Sequence, residues 1–435
     1  MRARFDLLLL RAEGYYNLSN HDEQVRDLSE LEEIAAQLKD EGLLARTYMR
    51  RGYYSSSMSD FQEVIKYGFQ AKSLAEAVYD DETILAAYIL MPGAFLRLGK
   101  MSDAMQYAKD GIAFARRIKH RQGEGKILTL LGLVSLEMEG AAIASSHHEE
   151  ALLIGREIKD RYLEAMALSN LATSMATSQG DYSIALQYYE QAYSLACELG
   201  NGKGQAITLS NMGWVNGILG NYPAAVNYLH QALTIMRRIG ERPQGINTHL
   251  NLSAIAGGQG DAQNALDWAE KGLAIASELG DSTGSAWAYF YLGHACLLNE
   301  QFDASLRSFS KCVEIRLEIS VPVLVAEARA GLLGVHLKMG NLLGAQAEME
   351  WLLGYANTNP TFKGAEEPLR MFHALYRALL ESRDPRVTIV LQNAVRLLDA
   401  QVSKLRSEDA RRMYVDNVPW RRALYQAAKE NGLAD

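Results

Sequence analysis

The chain has 435 residues, 48% of them hydrophobic, and a formal net charge of −8. That acidic balance excludes the basic stripe a nucleic-acid binder needs, and no apolar run reaches the ~18 residues of a membrane span. Three widely spaced cysteines without a CxxC pair (Cys197, Cys296 and Cys312) point to a reducing, cytoplasmic location, and only 8 prolines favour helix.

In chain order, the apolar periodicity predicts helix pairs over 2–38, 41–79, 82–119, 123–159, 162–199, 203–239, 243–279, 283–319 and 323–355. The N-terminal run MRARFDLLLLRAEGYY carries Glu13 and Tyr15-Tyr16 where a signal peptide would have its small-residue cleavage site, so it reads as helix. The pairs repeat every 40 residues: Gly140, Gly180, Gly220, Gly260 and Gly340 mark the mid-pair turns, with Glu300 in the missing place, and Gly99, Ser59 and Ser19 continue the series upstream. Gly200, Gly240 and Gly280 mark the turns between pairs. Glycine recurs there because a helix commonly ends on a left-handed residue. Asp181, Asp261 and Asp281 follow as N-cap candidates. Two small-residue series, Ala185/Ala225/Ala265/Ser305/Ala345 and Ala192/Ala232/Gly272/Cys312, let partner helices approach closely. Residues 356–364 read as a linker, ending a repeat array over 1–355. The rest, 365–435, reads as a divergent tenth pair and a capping helix that bends or breaks at Pro419.

Met212-Gly213, Gly220-Asn221-Tyr222 and Ala225, and again Leu292-Gly293, Phe302 and Leu306, resemble the tetratricopeptide repeat in its long-helix form, as in regulators of the MalT, Rap/PlcR and LGN kinds. The resemblance implies an all-α, right-handed α-solenoid of about ten antiparallel helix pairs. It also implies a non-catalytic scaffold that binds a protein or peptide segment in its concave groove. The arrangement is similar to the C-terminal repeat region of bacterial multidomain signalling proteins. On that likeness Met1 marks a boundary within a larger protein, and an N-terminal effector domain of the same protein is a second expected partner.

No catalytic residue, metal ligand or cofactor site is expected. Gly123-Glu124-Gly125-Lys126 lacks the first glycine of a phosphate loop, since His120 stands there, and adjacent His147-His148 cannot share a helix face, so they read as a solvated helix start. The candidate ligand-binding residues come from the resemblance. Asn170, Asn211 and Asn251 occupy the place where family members present an asparagine to an extended peptide; a carboxamide offers a donor and an acceptor to one peptide unit. Their alternative role is to satisfy a neighbouring helix. Trp214 and His294 stand three residues further along the same face, Tyr291 replaces the asparagine in its repeat, and Asn247 and Trp287 lie one turn earlier. These aromatics are either groove anchors or core. As groove anchors they also motivate the alternative of a small-molecule effector site like that of MalT. Arg406, Arg411, Arg412, Arg421 and Arg422, interspersed with acids, read as solvating the cap.

Overall fold

The computed structural model describes residues 1–17, 21–179 and 181–433; the turn positions Ser19 and Gly180 lie outside that set. The described chain contains 22 helices, named α1 to α22 in order. Nine pairs run from α1 (Arg2–Asn17) and α2 (His21–Leu38) to α17 (Pro322–Lys338) and α18 (Leu342–Thr358). Four further helices follow: α19 (Pro368–Glu381), α20 (Val387–Val402), α21 (Glu408–Asp416) and α22 (Pro419–Glu430). The described chain folds as an all-α, right-handed solenoid, as the repeat pattern predicts.

The turns explain the period. A residue with positive φ recurs about every 20 positions, whether glycine or not: Lys39, Ser59, Tyr79, Gly99, Lys119, Gly140 and Lys159, then Gly200 through Gly280, Glu300 (φ 58°), Ser320 and Gly340. After Gly260 and Gly280 the next N–H closes onto the carbonyl five residues back (Asp261 to Ala256 and Asp281 to Ala276, both 2.9 Å), satisfying the helix end. The same aspartates then cap the next helix, Asp261 accepting from the Asn264 N–H at 3.1 Å and Asp281 from Gly284 at 2.7 Å; Asp181 caps Ile184 at 3.3 Å. Between the turns the small residues are buried, Ala185, Ala225 and Ala232 at 0% exposure. A Cβ on Gly213 would meet Leu229 Cγ at 2.6 Å, which is why the family's Leu-Gly pair needs its glycine. Cys312 and Cys296 are buried helix-packing residues.

First helices of successive pairs touch one another and second helices make no comparable contact, so the first helices line the inner side. The superhelix closes on itself there. Helix α5 (Asp81–Arg97) meets α15 (Ser282–Leu298), where Arg97 donates to Asp281 at 2.8 Å and the Thr283 hydroxyl donates to the Leu96 carbonyl at 3.1 Å. Met101, Ile319, Val321 and Leu324 make an apolar seam beside this contact. The C-terminal helices then cross from one arm to the other. Their core joins Ala172, Tyr189 and Val215 of the fifth and sixth pairs to Leu333 and Met349 of the ninth.

Candidate functional site

The inner side is occupied by the chain itself. Residues 359–367 leave α18 as a fixed loop: the Asn359 carboxamide accepts from the Lys363 N–H (2.9 Å) and donates to its carbonyl (3.1 Å), and Phe362 is fully buried against Phe372. This loop delivers two consecutive carboxylates. Glu366 accepts from Trp214 Nε1 at 2.9 Å and from the Tyr291 hydroxyl at 2.5 Å, joining α11 (Gly202–Ile218) to α15. Glu367 accepts from Arg421 at 2.6 and 2.9 Å and from Trp420 Nε1 at 3.3 Å, while its backbone N–H donates to Glu327 at 3.0 Å. Arg421, only 1% exposed, also donates to the Ile218 carbonyl at 2.6 Å and lies over the Tyr414 ring. Asn417 donates to the Gly220 carbonyl at 2.9 Å and its own carbonyl accepts from Tyr222 at 3.1 Å.

Burial dominates the electrostatics. It raises the pKa of Glu366 even though the Tyr291 and Trp214 bonds favour the carboxylate, and it raises Glu137 and Glu327 against the attraction of Arg316. It lowers Arg370 and, with Arg370 and Arg316 adding repulsion, drives His294 well below its ordinary value, so that imidazole is neutral. Burial alone would lower Arg421; the Glu367 carboxylate more than reverses that and keeps the guanidinium charged.

The sequence-predicted residues divide into two groups. Trp214, Asn251 and Tyr291 line a narrow cavity beside Glu366, while Tyr291 and His294 line a larger adjoining one. Trp287 stacks behind Tyr291 with ring centroids 6.2 Å apart and packs against the Arg316 guanidinium. Asn170 and Asn211 are half-buried, Asn247 is exposed, and none of these three lines either cavity. Among the described residues the four asparagines make no side-chain hydrogen bond. The expected groove aromatics therefore converge, and two of them already hold a carboxylate from their own chain.

Sequence reasoning missed Glu366, Glu367, Arg370 and Arg421. Arg421 was read as part of a solvated basic cap; it is a buried tether instead. His148 likewise is not at a solvated helix start: it is fully buried against Gly132 with neither ring nitrogen paired. Among the described residues no group of three or more His, Cys, Asp or Glu side chains is placed to hold a metal, and no helix is long and apolar enough to cross a membrane.

A helical-repeat scaffold whose inner side carries Trp214, Asn251 and Tyr291 around a narrow cavity is the class this geometry defines. The chain carries tetratricopeptide repeats: that family's model matches residues 124–198, 176–238, 204–278 and 245–318. A Rap protein complexed with competence and sporulation factor superposes with a TM-score of 0.59 at 13% identity, covering 81% of this chain and 99% of its own. The apo form of RapI gives 0.52 at 12% identity, covering 63% and 98%. The Rap conjugation gene regulator of plasmid pLS20, in complex with a Phr peptide, gives 0.51 at 15%, covering 87% and 96%. At these identities the likeness is one of fold. No curated protein matches the chain.

Proposed function

We propose that the chain is a non-catalytic binding module whose inner channel takes an extended, acidic segment of a peptide or protein partner. The observation that carries this reading is Glu366, held between Trp214 and Tyr291 from helices two repeats apart. Two neutral donors converging on one carboxylate in an enclosed site suit an acidic side chain presented on extended backbone. The resident segment, Gly364–Glu367, is then an internal occupant that a partner displaces. A segment of another domain of the same protein meets the same requirement as one from a separate partner, which gives a route to regulation. Two of the similarly folded proteins were solved with a peptide or signalling factor bound, which is in keeping with such a groove.

The test is anisotropy with a labelled peptide of the sequence NPTFKGAEEPLR, residues 359–370. It should bind the double variant Glu366→Ala/Glu367→Ala at least tenfold more tightly than the unaltered chain, and Trp214→Phe in that background should abolish the gain. Absence of binding to the emptied channel, or indifference to Trp214→Phe, would refute the reading.

A further inference from the structure

Adjoining the place of Glu366, with Tyr291 and Arg370 lining both, lies a cavity of about 650 Å³. The inner faces of α13 (Pro243–Gly258), α15 and α17 form one wall, and α19 and α22 form the other. Most of the wall is apolar: Phe290, Ala254, Gly257, Gly334, Leu337 and Ala374 face it. A cavity of this size is ample for a small organic molecule.

Three of its polar side chains carry atoms without a hydrogen bond. The Arg370 guanidinium lies 4.0 Å over the Trp420 ring, yet among the described residues it makes no hydrogen bond and has no carboxylate within ion-pair distance. The nearest candidate by sequence, Glu367, is already taken by Arg421 and Trp420. A half-buried guanidinium stacked on an indole and left unpaired is incomplete, because desolvating a cation without a counter-charge is unfavourable. His294, clamped between Phe290 and Phe309, has a buried Nε2 with no partner. Glu327, only 2% exposed, has an Oε2 that makes no hydrogen bond and faces the Arg316 guanidinium at 3.8 Å. Two carboxylates face the cavity, Glu327 and the rim residue Glu300, against three cations, Arg370, Arg377 and Lys338; burial further biases Glu327 toward its neutral form.

We infer that this cavity is a second binding site, for a small ligand with an apolar body and one anionic group such as a carboxylate. The anion pairs with the fork of Arg370, whose parallel N–H groups match two oxygens. His294 Nε2 supplies a further hydrogen bond, and the body fills the space between Phe290, Leu337 and Ala374. The site uses the C-terminal helices as one wall, so it exists while those helices are docked through Glu367 and Arg421.

Decanoate and decan-1-ol, titrated separately into the full chain by calorimetry, test the inference. Decanoate should bind one to one, and the alcohol at least tenfold more weakly. Arg370→Gln should weaken decanoate at least tenfold and leave the alcohol unchanged, which also reports an intact cavity. A Cβ on Gly257 meets nothing within 4 Å, so Gly257→Leu fills the space without a backbone clash and should remove both. No decanoate binding, equal affinity for acid and alcohol, or decanoate binding unaffected by either substitution would overturn the inference. Peptide binding in the channel is measured separately, so failure here leaves that reading standing and the converse holds.

Discussion

Arg421 is the residue on which docking of the C-terminal helices turns, and Arg421→Met gives the sharpest test. The substitution keeps an unbranched apolar stem but removes two charge-assisted bonds to Glu367 (2.6 and 2.9 Å) and one bond to the Ile218 carbonyl (2.6 Å). It leaves the Glu367 carboxylate with Trp420 as its remaining side-chain donor, at 3.3 Å. Removing one partner of a buried ion pair costs about 3–5 kcal/mol, because the other charge stays desolvated. The bonds lost join the 359–367 loop to α22 and α22 to α11, so the cost falls on docking rather than on the early repeats. About 4 kcal/mol changes the docked-to-undocked ratio roughly a thousandfold. Hydrogen exchange should accelerate in α21, α22 and the last turn of α11, with α3 (Glu41–Ser57) through α8 (Ala141–Glu157) unchanged. Pairing with Glu367→Gln in a double-mutant cycle should give a coupling of about 2 kcal/mol or more. A loss below about 1 kcal/mol, or exchange that accelerates equally along the whole chain, would refute the tether.

Three further predictions test the frame around the site. Arg97→Ala removes the cation that meets buried Asp281 across the closed superhelix; about 1–3 kcal/mol should be lost, and exchange should rise at α5 and α15 together, whereas a change confined to α5 would show the contact is not closing the ring. Tyr79 is 89% exposed in a left-handed turn (φ 58°), so Tyr79→Gly should raise stability by about 1 kcal/mol in urea melts, while Gly213→Ala, which drives a Cβ toward Leu229 and the Ala225 carbonyl, should lower it by about 1–3 kcal/mol. Burial holds His148 at about 4 against an unfolded value of 6.5, so the unfolded chain takes up the proton first as pH falls; the stability is complete above pH 6.5 and is lost progressively toward pH 4, by up to about 3 kcal/mol, and His148→Leu should flatten that part of the pH profile.

The repeat was legible because its physics is local. A left-handed turn, an N-cap and a small packing residue each act within a few positions of themselves, so they recur with the period and can be counted. Even where glycine is missing the turn persists: Glu300 adopts φ 58° because the flanking helices fix it, and its place in the 40-residue series predicts it. The inner face was legible for the same reason, since Trp214, Asn251, Tyr291 and His294 stand at fixed offsets from the turns. Glu366, Glu367, Arg370 and Arg421 occur once and follow no period, and what gives them meaning is their partners. Trp214 lies 152 residues before Glu366 and Ile218 lies 203 before Arg421. Five arginines near a C-terminus look alike in sequence; only the fold separates buried Arg421 from Arg412, which pairs with Asp409 in solvent.

These distant contacts alter the energetics expected of a solenoid. In an open repeat array each unit touches only its neighbours, so stability is a sum of local and nearest-neighbour terms and a change at one repeat decays along the stack. Here the third pair is bonded to the eighth through Arg97 and Asp281, and the C-terminal helices bond the sixth to the ninth through Arg421, Glu367 and Glu327. The two closed loops therefore overlap across the sixth to eighth pairs. A change in curvature cannot spread freely through the repeats between these closures; it must strain or break one of them. Glu366 sits where this matters, because its two donors, Trp214 and Tyr291, belong to the sixth and eighth pairs and its neighbour Glu367 carries the tether. Displacing that one acidic dipeptide would release bonds to three pairs at once, whereas a ligand touching a single asparagine on the inner face would meet only its own repeat.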